Sequence, residues 1–427
     1  MDLPLFRSPD VTVRTTVNDK GICLRLTAAR GPAPTDIQLV DPDIVREHCA
    51  KLGRLVGRVA ASCRQYWPVA TDAASEALGN LAAAGRIFLF DVLHDPQRDF
   101  PRLSLFLQAA CPTWQSRQSR TPLIHAIAEP NQYFPWELLP LFAPTSTVRA
   151  GNQAELERAA LAFPGFAAVV ERRDPDHLPD STSLNGWDGL PIRMVYDASF
   201  PGVQQEVGFF RGKDALFLLR GPYPKDSDDP AAPTLAQQLC DPALGLDHNR
   251  DGPLDQVVHF SCHCQAADGD TTRYAYHLSD EQGRKLVVPL EELVEEMMRI
   301  WAAEVMAARP GPRPDMPLVF LNGCGTVAMD PTSAASLHKP FRHNRNRGII
   351  GTIANVPDRI AAEISKWFYL NLLVERHDVG QALHEAKWRL LQDRGNPLGL
   401  LYSIHAYAGL RIEPVPTYAG PADGGAR

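Results

Sequence analysis

Residues 255–263 read DQVVHFSCH, and residues 316–326 read MPLVFLNGCGT. Each is a short continuous apolar run that ends in small and polar residues, the pattern of a strand buried on both faces. Between them, residues 274–288 alternate about Asp280-Glu281-Gln282-Gly283, which predicts a hairpin. A helix is predicted from Pro289, with Leu290, Leu293, Val294, Met297 and Trp301 on one face. Strand, helix and strand at this spacing form a βαβ unit whose strands are parallel neighbours or near-neighbours. The expected class is therefore α/β, a three-layer sandwich around a mostly parallel sheet.

The same alternation extends outward. Residues 121–128, 193–196 and 214–219 read as strands, and 348–353 as a further one leading to Asp358. Helices are predicted from Asp358 through Ile360, Ile364, Trp367 and Phe368, and over 378–393, ending before Gly395. A short strand over 400–406 closes the domain. Upstream, residues 11–27 alternate around Asn18-Asp19-Lys20-Gly21 as a hairpin, and 43–66 and 73–84 carry helical spacing. Three segments follow: an extension of hairpin plus helix over 1–79, a main domain over 80–412, and a Pro- and Gly-rich disordered tail over 413–427. Residues 221–255, rich in Pro, Asp and Gly, read as a long surface loop or insertion. The basic cluster at 338–347 reads as a solvated loop.

Composition bounds the function. The 427 residues are 44% hydrophobic and 22% charged, with net charge −7, so a nucleic-acid partner is not expected. No apolar run approaches the ~20 residues of a membrane span, and residues 1–9 lack the apolar core of an export signal. A cytoplasmic protein with its eight cysteines as thiols is the expectation.

In an open parallel sheet, ligands bind beyond the carboxyl ends of the strands. His263 and Cys324 both fall at such ends. A thiol there needs an imidazole to take its proton and return it to a leaving amine. Gly323 and Gly325 flank Cys324, leaving room for a peptide and leaving backbone N–H groups open for an oxyanion. Three readings are open on the residues alone. The two side chains pack the sheet end, they form a Cys–His dyad, or His259, Cys262, His263, Cys264 and Cys324 supply zinc ligands.

At these residues the chain resembles the CHAT family, caspase-like domains related to caspases and separases. Val258-His259-Phe260-Ser261-Cys262-His263 resembles its HFaCHG element, and Leu321-Asn322-Gly323-Cys324-Gly325-Thr326 its LNaCxT element. Phe134-Pro135-Trp136-Glu137-Leu138-Leu139, Gly202-Val203-Gln204-Gln205-Glu206-Val207 and residues 350–358 (IGTIANVPD) resemble lPWELL, GAxxEV and vGTlWxVxD. The run from Phe368 through Val379-Gly380-Gln381-Ala382-Leu383 to Tyr402 follows the same pattern, so the resemblance covers roughly residues 80–412. The sequence departs where the family has Gly after the second His, here Cys264, and where it has Trp, here Ala354 or Asn355.

The resemblance implies a cysteine endopeptidase without metal or organic cofactor. Cys324 is its nucleophile, His263 its base, and the backbone N–H groups of Cys264 and Cys324 its oxyanion hole. It implies a protein substrate, an activating protein partner, and latency until activation in bacterial defence or regulated cell death. Trp136 and Glu137 are expected to be architectural, and Glu206 is left without a role. His259 is expected in the strand, with substrate contact as its other reading. Asp358 is either a helix N-cap or a carboxylate receiving a basic P1 side chain. An inactive adaptor of the same fold is the main alternative, and a zinc-stabilised binding module the lesser one.

Overall fold

A computed structural model describes residues 7–19, 21–63, 68–116, 120–128, 134–143, 150–173, 182–186, 189–225, 229, 232–244, 253–266, 274–307, 316–323 and 340–413. Cys324, the tail from residue 414, and His338 and Lys339 of the basic cluster lie outside the described residues.

The predicted hairpin forms as β1 (Val11–Asn18) and β2 (Gly21–Ala28), joined by β3 (Thr35–Gln38). Alternating Val11, Val13, Leu24 and Leu26 are buried beneath the amphipathic helices α1 (Pro42–Cys63) and α2 (Thr71–Val92). Helix α3 (Pro96–Ala110) starts at Asp95, whose carboxylate accepts from the Arg98 N–H. Strand β4 (Leu123–Ile127), helices α4 (Gln153–Ala160) and α5 (Pro164–Ala167), strand β5 (Val169–Arg173) and the two-residue β6 (Ser183–Leu184) follow. Next come β7 (Leu190–Tyr196), α6 (Pro201–Arg211), β8 (Phe217–Tyr223) and α7 (Leu235–Cys240). The deciding stretch gives β9 (Val257–Ser261), β10 (His263–Ala266), β11 (Tyr274–Ser279), β12 (Lys285–Pro289), α8 (Leu290–Met306) and β13 (Leu318–Leu321). The chain closes with β14 (Gly348–Thr352), α9 (Asp358–Leu373), α10 (Val379–Arg394), β15 (Tyr402–Ala406) and β16 (Arg411–Ile412). Helix α10 ends as expected: Gly395 takes φ +62 and its N–H reaches the Leu390 carbonyl.

Eleven strands form one sheet in the order β3-β2-β1-β4-β5-β15-β14-β13-β9-β7-β8. Most neighbours are parallel; the pairs β2–β3, β1–β2 and β14–β15 are antiparallel. Two apolar clusters lie on its faces. Ile192, Met194, Val257, Phe320 and Ile350 face one with α9 and α10, whereas Val195, Val258, Phe260, Val319 and Leu321 face the other with α7 and α8. That alternation is the three-layer α/β sandwich, with helices on both faces of a mostly parallel sheet.

Three expectations need correction. A boundary at 79/80 falls inside α2, and β1 is hydrogen-bonded parallel to β4, so the extension continues the main sheet and shares its core. Residues 221–255 hold more than loop: Thr234 and Gln237 form a capping box that starts α7, and Leu235, Ala236 and Leu239 are buried. The basic cluster is only partly solvated. Phe341, Asn344, Asn346 and Arg347 are buried because side-chain amides satisfy the backbone there, Asn344 Nδ2 donating to the Leu239 carbonyl (2.8 Å) and Asn346 Nδ2 to that of Pro317 (2.8 Å). Among the described residues no helix is long and apolar enough to cross a membrane.

Candidate active site

Strands β7, β9, β13 and β14 run parallel and end at one edge of the sheet. Asp197, Cys262-His263, Asn322-Gly323 and Ile353 follow those ends. In strands β9 and β13, Phe260 is registered with Leu321. His263 lies three residues beyond Phe260, and Cys324 three residues beyond Leu321 in sequence. Adjacent strands are about 4.8 Å apart, so the described ends of β9 and β13 lie side by side at this edge.

His263 opens β10, half-buried, and its ring stands edge-on to Phe200 with centroids 4.3 Å apart. Phe200 sits in the turn between β7 and α6, immediately before Pro201. The hairpin β11–β12 continues from β10 and is tied back to β7. The Asp197 carboxylate accepts from Ser279 Oγ (2.6 Å) and Ser199 Oγ (2.6 Å), and the Asp197 N–H donates to the Ser261 carbonyl (2.9 Å). These bonds fix the wall on which the imidazole is carried. At the end of β13, Gly323, the last described residue of that segment, has its carbonyl held by the Thr352 hydroxyl from β14.

Cys264, which stands where the resembled family has glycine, carries none of the strain of a left-handed backbone. It lies in strand β10 opposite Tyr276, and the non-glycine residues of positive φ among the described residues are Arg345 and Arg376. Its side chain is buried in the second apolar cluster with Cys262.

His259 lies within the core. It is 0% exposed, because alternation along β9 turns it, with Ser261, onto the face covered by α6 and α9. Its Nδ1 lies 3.1 Å from Tyr369 Oη and its Nε2 3.3 Å from Glu206 Oε1. Burial and the Glu206 charge push the Tyr369 hydroxyl well above its usual range, keeping it protonated. Cys262 faces the opposite side of the sheet, so the His259, Cys262 and Cys264 side chains do not converge on one point.

Asp358 is not the N-cap: α9 starts at this residue, after Pro357. Its carboxylate instead accepts from two helix starts, the Gly202 N–H of α6 (3.1 Å) and the Arg359 N–H of α9 (2.8 Å). The helices meet closely enough that a Cβ on Gly202 would lie 2.5 Å from the Asp358 carbonyl oxygen, so glycine is required there. Asp358→Ala is therefore expected to cost about 1 kcal/mol of stability and leave the ranking of P1 residues unchanged. A urea melt and a P1 peptide profile of both proteins check this; a selective loss on Arg substrates would restore the carboxylate to the cleft.

Sequence reasoning missed a buried polar cluster behind this edge. Glu206, 2% exposed, accepts from Asn322 Nδ2 (2.6 Å), Ser261 Oγ and Ser365 Oγ. Asn322 Oδ1 in turn accepts from Tyr402 Oη (2.7 Å). One signal was available: Glu206 sits on the buried stripe Val203, Glu206, Val207, Phe210 of α6, where a carboxylate must find donors.

Residues 237–409 match the CHAT domain model, so the resemblance carried by the motifs holds over that stretch. A protein named "Probable protease" from Vitiosangium sp. (strain GDMCC 1.1324) is 32% identical over 111 residues, 26% of this chain. The match spans 14% of that relative's length. Two structures of the Saccharomyces cerevisiae separase–securin complex align over 93% of this chain and 30% of theirs, at TM-scores of 0.44 and 0.38 with 8% and 10% identity. Over residues 237–409 the chain is thus similar to CHAT domains.

Proposed function

We propose that the chain is a cysteine endopeptidase in which Cys324 is the nucleophile and His263 the general base. The observation that supports this reading is the register of β9 and β13: Phe260 pairs with Leu321 on adjacent parallel strands, and His263 and Cys324 each follow three residues later in sequence. His263 takes the Cys324 thiol proton, and the thiolate attacks the scissile carbonyl carbon. Backbone N–H groups of Cys324 and Cys264 stabilise the resulting oxyanion. His263 then protonates the leaving amine, giving a thioester, and next deprotonates the water that hydrolyses it. Atoms balance across the two steps: water is consumed, and one carboxylate and one amine are released.

A peptide library derived from a proteome, digested by the purified protein and read for new termini by mass spectrometry, tests this reading. New termini sharing a residue preference at P1 are expected. Their absence from both intact and activated protein would favour the adaptor.

The protein is further proposed to be latent, acting on a protein substrate within a defence or cell-death pathway once a partner or a cut releases it. The segment 221–255 supports this, because it is coupled to the base strand. Asp255, just ahead of β9, is buried between Arg193 and Arg220, and α7 packs on the face that carries Phe260. Limited proteolysis within 226–252 is expected to change the rate of peptide cleavage. Full activity from the start, unaltered by a cut or partner, would remove the latency.

A further inference from the structure

We propose that Glu206 is a positioning residue that sets the spacing of the nucleophile and base strands, an inference resting on the Cys324–His263 reading. The argument is one of symmetry in the chain. Ser261 stands two residues before His263, and Asn322 two residues before Cys324. A single buried carboxylate accepts from both, through different oxygens: Asn322 Nδ2 on Oε1 and Ser261 Oγ on Oε2. It is held in turn from behind by Ser365 of α9 on Oε1, with His259 Nε2 3.3 Å away.

The contacts leave Asn322 little freedom. Its carbonyl oxygen accepts a hydrogen bond from the Tyr402 hydroxyl, while its amide nitrogen donates to the Glu206 carboxylate and the Ala361 carbonyl (3.0 Å). That pattern fixes which end of the side chain is oxygen. Two strand ends that carry the reacting groups are thus bolted to one rigid helix, with every oxygen of the bolt engaged. Catalysis through a thiolate and an imidazole needs their separation held to a fraction of an ångström. A carboxylate presents acceptors only, and Asn322, Ser261 and Ser365 all donate to it here. Glutamine would put an amide nitrogen at one of these positions, so at least one hydroxyl would have to turn from donor to acceptor and the charge that strengthens every bond would be lost.

The test is Glu206→Gln, compared with wild type for kcat, KM, thermal midpoint and the pH dependence of iodoacetamide labelling at Cys324. Expected is a folded protein whose kcat falls about 10- to 100-fold with KM within about twofold, matching loss of an interaction needed in the transition state. The labelling profile is expected to shift toward that of an unassisted thiol, near pH 8.5. A variant with a lower thermal midpoint but wild-type kcat and labelling profile would overturn the proposal and leave Glu206 a packing device. Should Glu206→Gln fail to fold, Ser261→Ala removes one arm alone and is expected to shift the same two readouts in the same direction. An inactive wild type with an unshifted Cys324 profile would sink the dyad reading and this inference together. An active wild type with an unaltered variant would sink the inference alone.

Discussion

Cys324→Ala and His263→Ala should each lower peptide cleavage by at least about 10³-fold while leaving circular dichroism and the thermal midpoint unchanged. The magnitude follows from the interdependence of nucleophile and base: without the imidazole the thiol is mostly protonated near neutral pH, and without the sulfur no thioester forms. Stability should hold, because His263 is half-buried at the sheet edge, where its ring stands edge-on to Phe200. The two substitutions should also be non-additive, the double variant being no worse than the poorer single one. A single variant that still cleaves would remove that residue from the dyad.

The second large effect is on stability and lies away from the edge. Glu137, 1% exposed, receives Arg172 in a two-pronged pair and also accepts from Ser403 Oγ (2.8 Å). Lys387 is buried close by, donating to the Tyr402 carbonyl (2.7 Å), and burial lowers its ammonium to about 8. Glu137→Ala would leave the Arg172 guanidinium buried without its counter-charge, and such broken pairs typically cost about 3–5 kcal/mol. The urea midpoint should fall accordingly with little change in slope. Glu137→Leu combined with Arg172→Met should recover much of the loss, since it is the stranded charge that costs. A Glu137→Ala midpoint within experimental error of wild type would show the pair to be hydrated.

How far the sequence was legible depends on the kind of information required. The strands β9 and β13 were readable because burial on both faces demands continuous apolar residues, and the intervening hairpin because its turn residues are distinctive. Helix α7 was legible but overlooked: Thr234 and Gln237 have capping-box spacing, hidden by the surrounding Pro and Asp. The 79/80 boundary was not legible. Helix α2 runs through it without a change in periodicity, and the pairing of β1 with β4 joins segments more than a hundred residues apart. For the same reason the positions 263 and 324 could be picked out as strand ends, whereas the Glu206 cluster could not. Its partners come from β9, β13 and α9, and no local pattern records which distant donors a buried carboxylate will meet. His259 shows the limit from the other side, being part of a chemical-looking motif yet turned into the core by the alternation of its own strand.

The central claim, a thiolate at Cys324 created by His263, is tested most directly by labelling with an electrophilic peptide at neutral pH and mapping the adduct by mass spectrometry. Competing thiols are suppressed by their surroundings: burial pushes Cys49, Cys111 and Cys240 up to about 12 and also raises Cys23 and Cys63. Cys262 and Cys264 are buried in the apolar cluster. The expected result is a single adduct on Cys324 that forms at least about tenfold more slowly in His263→Ala. Labelling spread over several cysteines, or at Cys324 with a rate indifferent to His263, would contradict the dyad.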